Sequence, residues 1–276
     1  MNPLITAQWL FEHINDDNLV LLDASIDFQI PAESPKDKIN LIPNSIRFDY
    51  DNVFCDPDSH LPHMMPSEER FNRLAQSIGI NNQSTIVVYD NSGTFASPRA
   101  WAMLQAMGHK QSYILDGGLT EWKLCGFVTT NEYKKVSKGD FNGQLNSDWF
   151  VDSHYVQQAI DNANSLTVDA RGMARFLAQT PEPREGVRSG HIPNSVCIPF
   201  ATLMEQHRFK SKAELSSLLQ GLLDDSKQEY IFSCGSGVTA CIVLVAALIC
   251  DYQNLKVYDG SWTDWGTNKT LPIETS

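Results

Sequence analysis

Residues 114–122 read ILDGGLTEW, and a related stretch, VYDGSWTDW, follows at residues 257–265. Three further pairs of matching stretches accompany these two, in the same order and at nearly the same separation. The pairs are IVVYD at 86–90 with YIFSC at 230–234, LVLLDAS at 19–25 with LTVDAR at 166–171, and IPNS at 42–45 with IPNS at 192–195. Because chance rarely produces four matches in one order, the chain is interpreted as a tandem duplication of one unit.

Each copy alternates short β-branched strands with amphipathic helices. In the first copy the pattern predicts helices near Thr6–Ile14, Ser67–Ile78 and Ser97–Met107, and the second copy repeats the pattern from an Asp152 N-cap onward. This alternation predicts an α/β fold in which each copy forms a mostly parallel sheet with helices on both faces.

A polar, glycine-bearing segment near residues 131–148 separates the copies and is predicted to be a linker that runs over the surface. The predicted organisation is therefore a first half at residues 1–130, a linker at 131–150 and a second half at 151–276. These three names are kept below.

The composition indicates a globular protein with little electrostatic attraction for polyanions. The 276 residues are 42% hydrophobic, and the formal net charge is -12 with no basic run, so neither nucleic acid nor an anionic membrane is an expected partner. The N-terminus lacks the features of a secretory or transit peptide, and the longest apolar stretch, residues 238–250, is too short to cross a bilayer. Six cysteines without a Cys-x-x-Cys pair favour a reducing cytoplasm.

Residues 233–240, SCGSGVTA, are the strongest candidate for chemistry. Cys234 ends a predicted strand, where open α/β sheets place their sites, and the glycines after it allow backbone N–H groups to converge on one atom. Because a helix N-terminus follows and stabilises a thiolate, Cys234 is predicted to be a nucleophile at neutral pH. The matching residue in the first half is Asp90. Among the other cysteines, Cys197, Cys241 and Cys250 are predicted core residues, and Cys55 and Cys125 receive no role.

The duplicated pattern resembles the tandem-domain sulfurtransferases of the rhodanese family, through CGSGVTA, the upstream GHIPNS and the downstream YDGSWTDW. The resemblance covers essentially the whole chain and implies two rhodanese-like domains, of which the first, with Asp90, is inactive. CGSGVT resembles the loop of family members that use 3-mercaptopyruvate, whereas thiosulfate users typically carry a basic CRKGVT loop. Thiosulfate is a dianion that favours cationic donors in the loop, while mercaptopyruvate keeps its charge on a carboxylate remote from its sulfur.

The resemblance also implies which residues bind the substrate. Arg175 and Arg184 match the arginine pair that clamps the substrate, and their planar guanidinium groups suit a carboxylate. The loop residues that would surround the transferred sulfur are Gly235, Ser236, Gly237, Val238 and Thr239. Arg171 is interpreted instead as an ion-pair partner that holds its loop.

The segment at residues 48–66 resembles the interdomain segment of the family, in which Asp51 and His63 would approach Ser236. These three residues would form either a catalytic proton relay or an interdomain hydrogen-bond network, and both interpretations stay open. His60 is an alternative to His63. His191 is predicted to make a structural hydrogen bond.

The implied reaction is a double displacement that needs no metal and no organic cofactor. Cys234 would take sulfur from 3-mercaptopyruvate as a persulfide and pass it to a thiol, to thioredoxin or to cyanide. A monomer is expected. Thiosulfate as the donor, and a non-catalytic binding module, are the alternatives.

Two other classes of site are disfavoured by single positions. A cysteine phosphatase needs an arginine six residues after its cysteine, where this chain has Ala240, and a Walker loop needs a lysine after Gly237. The chain also departs from the family pattern: residues 40–45 read NLIPNS where GHIPG is usual, the segment before them is short, and Asn194 replaces a more common glycine. The first two departures lie in the first half and concern packing more than activity.

Overall fold

The chain folds into two parallel five-stranded β-sheets in a computed structural model that describes residues 2–31, 33–224 and 226–275. The elements of the first half are β1 (Leu4–Ile5), α1 (Ala7–His13), β2 (Leu19–Asp23), β3 (Ser45–Arg47), α2 (Glu68–Ser77), β4 (Thr85–Tyr89), α3 (Ser97–Ala106), β5 (Ser112–Leu115) and α4 (Gly118–Leu124). The elements that follow are β6 (Phe150–Val151), α5 (Ser153–Ala159), β7 (Ser165–Asp169), α6 (Met173–Phe176), β8 (Val196–Cys197), β9 (Met204–Glu205), β10 (Arg208–Phe209), α7 (Lys212–Leu219), β11 (Glu229–Ser233), α8 (Ala240–Ile249), β12 (Leu255–Tyr258) and α9 (Ser261–Thr267). A short 3₁₀ helix covers Phe200–Leu203.

The two sheets share one strand order, which confirms the duplication. The first sheet runs β1-β5-β4-β2-β3 and the second runs β6-β12-β11-β7-β8, with every pair parallel. Each strand of one sheet therefore has a counterpart at the same place in the other. The central strands are β4, which precedes the loop that begins at Asp90, and β11, which precedes the loop that begins at Cys234.

Helices cover both faces of each sheet, as the alternation predicted. In β2, Leu21 packs with α1 and α4, whereas the next residue, Leu22, packs on the opposite face with α2 and α3. Adjacent residues of a strand point to opposite faces, so a strand that is apolar at successive positions must be covered twice.

Helices α3 and α8 pack against each other between the two halves. Each is buried over most of its circumference, because it contacts its own sheet on one side and the other half on the opposite side. The apolar run at residues 238–250 is thus a buried helix, as predicted. No helix in the described ranges is long and apolar enough to span a bilayer.

Side chains cap several helices as the sequence indicated. The hydroxyl groups of Thr6 and Ser67 and the carboxylate of Asp152 accept hydrogen bonds from the third residue beyond each of them. Asn44 and Asn194 both adopt left-handed backbone, with φ of 67° and 58°. Asparagine tolerates this conformation better than most residues. Asparagine can therefore replace the usual glycine at these turns without a change in backbone conformation.

The proposed linker runs over the surface but is docked on the first half rather than loose. Phe141 is buried against Phe71, and the side chain of Asn72 bonds the backbone of Gly143 through both its oxygen and its nitrogen. The boundary at residues 131–150 remains a proposal, and it falls between α4 and the start of the second sheet at β6.

Each half also extends a loop segment over the other half: the segment at residues 48–66 of the first half, and the segment around β9 and β10 of the second. The backbone N–H of Met65, in the first half, donates to Asp259 Oδ2 at 2.7 Å, and the N–H of Phe209, in the second half, donates to Asp116 Oδ1 at 3.1 Å. Asp116 and Asp259 occupy matching positions in ILDGGLTEW and VYDGSWTDW. In both halves, the aspartate of the duplicated stretch therefore accepts a backbone hydrogen bond from a segment of the other half.

Candidate active site

Cys234 lies at the carboxyl end of β11 and is 2% exposed. Its N–H donates to Ser261 Oγ at 3.1 Å, and its carbonyl accepts from the Trp262 N–H at 2.9 Å. Ser261 has a positive φ of 49°, which turns its hydroxyl toward the cysteine backbone. The stretch VYDGSWTDW therefore fixes the cysteine through the first residues of α9, which follow the neighbouring strand β12.

The loop after Cys234 presents a row of unused backbone donors. Within the described residues, the N–H groups of residues 235–240 donate to no acceptor, although residues 236–239 are largely buried. Gly237 has a φ of 78°, a conformation that favours glycine, whereas Gly235 does not have a positive φ. Because α8 begins at Ala240, its helix dipole adds to the positive potential beside the sulfur.

In the first half, the matching loop surrounds the side chain of Asp90, which stands at the position of Cys234. Asp90 Oδ2 accepts from the N–H groups of Phe95, Ala96 and Ser97 at 2.9–3.0 Å, and from the Ser97 hydroxyl at 2.9 Å. Asp90 is fully buried. The first-half loop therefore binds the side chain of its own Asp90, and the same loop design in the second half suits an anionic sulfur.

Cys234 opens onto a cavity of about 400 Å³ that contains both predicted arginines. Residues 28–31 of the first half form one wall, and Arg175, Arg184 and the loop of Cys234 form the other. A Cβ atom placed on Gly235 would lie 3.6 Å from Arg175 Nη2 and 4.0 Å from Arg184 Nη1. Both guanidinium groups therefore lie within 4.0 Å of the space that a side chain at position 235 would occupy, and glycine leaves that space open.

Arg184 is oriented through a threonine of the second half. Its Nη1 donates to Thr263 Oγ1 at 3.1 Å, and the Thr263 hydroxyl donates to the Gly235 carbonyl at 2.6 Å. The Thr263 N–H donates to the same carbonyl at 2.9 Å. Thr263 thus connects the arginine to the loop and turns the Gly235 carbonyl away from the cavity.

Glu182 orients Arg175, and the sequence analysis missed it. This carboxylate, whose side chain is 3% exposed, pairs with Arg175 and also with Arg171 Nη1 at 2.7 Å. Arg171 pairs in turn with Asp169, which confirms it as an ion-pair partner that holds its loop. A carboxylate close in sequence to Arg175 and Arg184 is the signal in the sequence that predicts such a role.

Asp51 and His63 lie together, as predicted, whereas the expected link to Ser236 is not made. His63 Nδ1 lies 2.8 Å from Asp51 Oδ1. The contact with His63 lowers the pKa of the Asp51 carboxyl, and the positive charges of Arg47 and Arg184 act in the same direction. His63 is buried, and its Nε2 has no hydrogen-bond partner in the part of the chain that the structure describes.

Ser236 lines the cavity itself, while His63 lies behind it, next to the Phe28 ring at 5.4 Å between ring centroids. His60 is exposed at the surface. The structure therefore favours His63 over His60 as the buried histidine of this segment, and leaves its imidazole one layer away from the cavity wall.

Arg99 is a second residue that the sequence analysis missed. It is fully buried at the interface of the two halves, and its Nη2 lies 2.7 Å from Asp259 Oδ1. Its Nη1 donates to the Gly237 carbonyl at 3.3 Å. An arginine in the otherwise apolar helix SPRAWAMLQA was a signal that it has a specific buried partner.

Cys197, Cys241 and His191 have structural surroundings. Burial raises the pKa of the Cys197 and Cys241 thiols to about 12, which fits their assignment to the core. His191 Nδ1 lies 2.8 Å from the Phe176 carbonyl, and its ring stacks on Phe176 at 3.8 Å between centroids. The predicted structural hydrogen bond of His191 is thus confirmed.

Comparisons with known proteins agree with the geometry. A family model described as a rhodanese-like domain matches residues 6–125 and again residues 152–268. The 3-mercaptopyruvate sulfurtransferase of Escherichia coli K12 is 35% identical over 273 residues, which cover 98% of this chain and 97% of that protein.

Two further similarities extend over the whole fold. An Arabidopsis thaliana protein named thiosulfate/3-mercaptopyruvate sulfurtransferase 1, mitochondrial, is 33% identical over 99% of this chain and 78% of its own length. The crystal structure of SseA from Escherichia coli, described under 3-mercaptopyruvate sulfotransferases, superposes with a TM-score of 0.83 at 32% identity and covers 95% of this chain and 99% of its own.

Proposed function

The chain belongs to the rhodanese-like family and is a sulfurtransferase, and on that premise we propose that it moves sulfur from 3-mercaptopyruvate to a thiol acceptor through a persulfide on Cys234. The observation that carries the proposal is the position of Cys234. It lies among unused N–H donors and opens onto a cavity under two arginines. Arg175 and Arg184 would bind the carboxylate and keto oxygen of the donor.

In the first step, the Cys234 thiolate attacks the sulfur of the bound donor. A sulfur–sulfur bond forms, the carbon–sulfur bond breaks, and its electron pair moves into the carbonyl-conjugated carbon, so that pyruvate leaves as its enolate and is then protonated. The arginine pair would stabilise the negative charge that develops on the enolate. The donor's thiol hydrogen stays on the outer sulfur of the persulfide.

In the second step, an acceptor thiolate attacks the outer sulfur. A new persulfide forms on the acceptor, and the bond between the two sulfurs breaks with return of its electron pair to Cys234. The N–H groups of residues 235–240 would stabilise the thiolate before and after the cycle, as the N–H groups of Phe95 and Ala96, which match Thr239 and Ala240, bind the side chain of Asp90. In this scheme Gly235, Ser236, Gly237, Val238 and Thr239 form the sulfur cradle.

Thiosulfate is the alternative donor, because an arginine pair also binds a dianion and the Arabidopsis relative carries both donors in its name. The neutral loop favours mercaptopyruvate. A basic side chain at position 235 would begin only 3.6 Å from the Arg175 guanidinium, so here the positive charge stands on the cavity wall and not in the loop.

The role of Asp51 and His63 is proposed as support of the loop segment rather than direct proton transfer through Ser236, since the imidazole lies behind the cavity wall. The acceptor is proposed to be a small thiol or a thioredoxin-type protein, and the chain to act as a monomer in a reducing compartment. All six cysteines are free thiols, which suits such a compartment.

Mass spectrometry of the intact protein after brief treatment with mercaptopyruvate tests the scheme. We expect a mass gain of one sulfur atom on the peptide that contains Cys234, and loss of that gain on addition of a thiol. Cys234→Ser should show no gain, and Cys197→Ala, a matched change of another buried cysteine, should retain it. Modification of a different cysteine, or none, would contradict the persulfide. A steady-state preference for thiosulfate would overturn the donor alone.

A further inference from the structure

We propose that Arg99, which belongs to the half without a cysteine nucleophile, is a positioning residue for sulfur transfer at Cys234. Its guanidinium holds the peptide bond between Gly237 and Val238 with the carbonyl directed into the interface and the N–H directed toward the sulfur cradle. This inference rests on the proposed function, and its test below separates the two.

The contacts of the Gly237 carbonyl support this orientation. The oxygen accepts from Arg99 Nη1 at 3.3 Å and from Cys241 Sγ at 3.4 Å, both in the buried interface. In a trans peptide the carbonyl and the next N–H point in opposite directions. With its carbonyl fixed on the interface side, the Val238 N–H therefore points away from Arg99, toward the side on which Val238 lines the cavity.

A reversal of this peptide would work against a thiolate. If the Gly237 carbonyl rotated into the cradle, a partial negative charge would replace a donor beside the sulfur and raise the free energy of the thiolate. The loop alone resists the rotation weakly, because Gly237 has no side chain and adopts a φ of 78°. Arg99 supplies the restraint that the loop lacks.

The guanidinium suits this task because three acceptors surround it in different directions. Besides Gly237, these are Asp259 Oδ1 and the His63 carbonyl, and the planar group also lies over the Phe150 ring at 4.4 Å. A planar fork can reach several fixed acceptors at once, whereas an ammonium group is a single point charge. Asp259 compensates the charge, which would otherwise be costly to bury.

Among the described residues, no guanidinium group bonds the matching Gly93 carbonyl of the first half. The residue of α8 that matches Arg99 is Val243, so the loop of Asp90 receives no guanidinium from the second half. Asp116, which matches Asp259, instead accepts from the Phe209 N–H and from the Thr94 hydroxyl, and burial raises its pKa. The arginine is thus present only where the cradle must hold a reactive sulfur, and absent where Asp90 fills the cradle.

Arg99→Lys tests the proposal, because lysine retains the charge for Asp259 but cannot span all three acceptors. The first readout is the rate of Cys234 alkylation by iodoacetamide as a function of pH, without any donor. We expect the profile to move to higher pH, since the thiolate loses stabilisation, and kcat with mercaptopyruvate to fall about tenfold while KM changes less than about twofold.

Asp116→Asn is the matched control, because it weakens the corresponding interdomain contact at the opposite end of the molecule. It should lower the thermal stability and leave both the alkylation profile and kcat as in the wild type. Guanidinium ions added to Arg99→Ala should restore part of the lost rate, which a merely structural loss would not allow.

An Arg99→Lys protein that folds and keeps the wild-type alkylation profile and kcat would overturn the inference. If Arg99→Lys does not fold, Asp259→Asn provides the same comparison, because it loosens the guanidinium and leaves an oxygen for the Met65 N–H; an unchanged profile there would also overturn it. If the wild type forms no persulfide with mercaptopyruvate while Arg99→Lys still moves the alkylation profile to higher pH, the proposed function fails and this inference stands.

Discussion

The loop after Asp90 and the loop after Cys234 have the same design, but the first is filled and covered whereas the second is open to a cavity. In the first half, three N–H groups and a hydroxyl converge on the carboxylate of Asp90, and the loop is covered by the β9–β10 hairpin of the second half. A Cβ atom on Gly93 would lie 2.8 Å from the His207 carbonyl of that hairpin. In the second half, two of the three corresponding N–H groups, those of Thr239 and Ala240, are unused within the described residues, whereas that of Cys241 donates to the Val238 carbonyl. This loop faces a cavity instead.

The difference shows how a duplicated fold divides stability and reactivity between its copies. A permanent carboxylate satisfies the donors of the first loop, so that half can pack tightly and serve as a support. Buried N–H groups that have no acceptor within the protein lower the free energy of unfolding. The same free N–H groups can stabilise a sulfur anion that forms during the reaction. The second half carries that cost, and Arg99 of the first half contacts its loop at the Gly237 carbonyl.

The largest expected effect comes from installing the first-half residue in the second half. Cys234→Asp should reduce sulfur transfer by more than about 10³-fold, because the nucleophile is lost. It should keep or raise the unfolding temperature, because the carboxylate can accept from the free N–H groups. Steady-state assays and calorimetry measure the two effects, with Cys197→Ala as the control that retains activity. Sulfur transfer by Cys234→Asp would contradict the conclusion that the two halves differ in reactivity because of this residue.

The reverse deletion tests the support role of Asp90. Asp90→Ala should lower the free energy of unfolding by about 3 kcal/mol, because it leaves the N–H groups of Phe95, Ala96 and Ser97 buried and unpaired. Asp90→Asn, which retains an acceptor oxygen, should lose clearly less. Urea unfolding provides the measurement, and an equal loss in both variants would show that the hydrogen bonds of the carboxylate are not what stabilises this loop.

The arginine clamp distinguishes the halves, since Arg175 and Arg184 follow Arg171 in the second half, whereas residues 25–38, which begin at the matching Ser25, contain no arginine. Arg175→Ala should reduce kcat/KM for mercaptopyruvate about 30-fold, equivalent to about 2 kcal/mol, and should reduce any thiosulfate reaction less. Glu182→Gln should give a smaller loss in the same direction, because it leaves Arg175 in place but less firmly oriented. Equal losses for the two donors would remove the reason to assign Arg175 to the mercaptopyruvate carboxylate.

The smallest effect concerns Asp51 and its pH dependence. Its pKa is lowered in the folded protein by His63, so the carboxylate contributes stability above the pKa of the unfolded chain, and this contribution is lost as the pH falls through the folded pKa. Between about pH 5 and pH 3, Asp51→Asn should therefore lose less unfolding free energy than the wild type. Parallel urea titrations at each pH make the comparison. Identical pH dependence would mean that the contact of Asp51 with His63 does not stabilise this segment.

Much of the fold could be predicted from the sequence because it depends on local and periodic patterns. The repeated stretches indicated the duplication, and the alternation of strands with capped helices indicated parallel sheets covered on both faces, all of which the structure and the family match confirm. Cys234 could also be singled out locally, since a strand end, a glycine turn and a helix start follow one another in eight residues.

The sequence by itself thus determined the duplicated α/β architecture and the one cysteine placed at a strand end before a helix. Only the tertiary structure decided which distant groups reach it: Arg99 on Gly237 from 138 residues away, Glu182 beneath Arg175, and His63 behind the cavity wall and not on Ser236. The physical reason is that periodicity reports which residues are buried, whereas hydrogen bonds and ion pairs depend on distances and directions that are set when the two halves pack together.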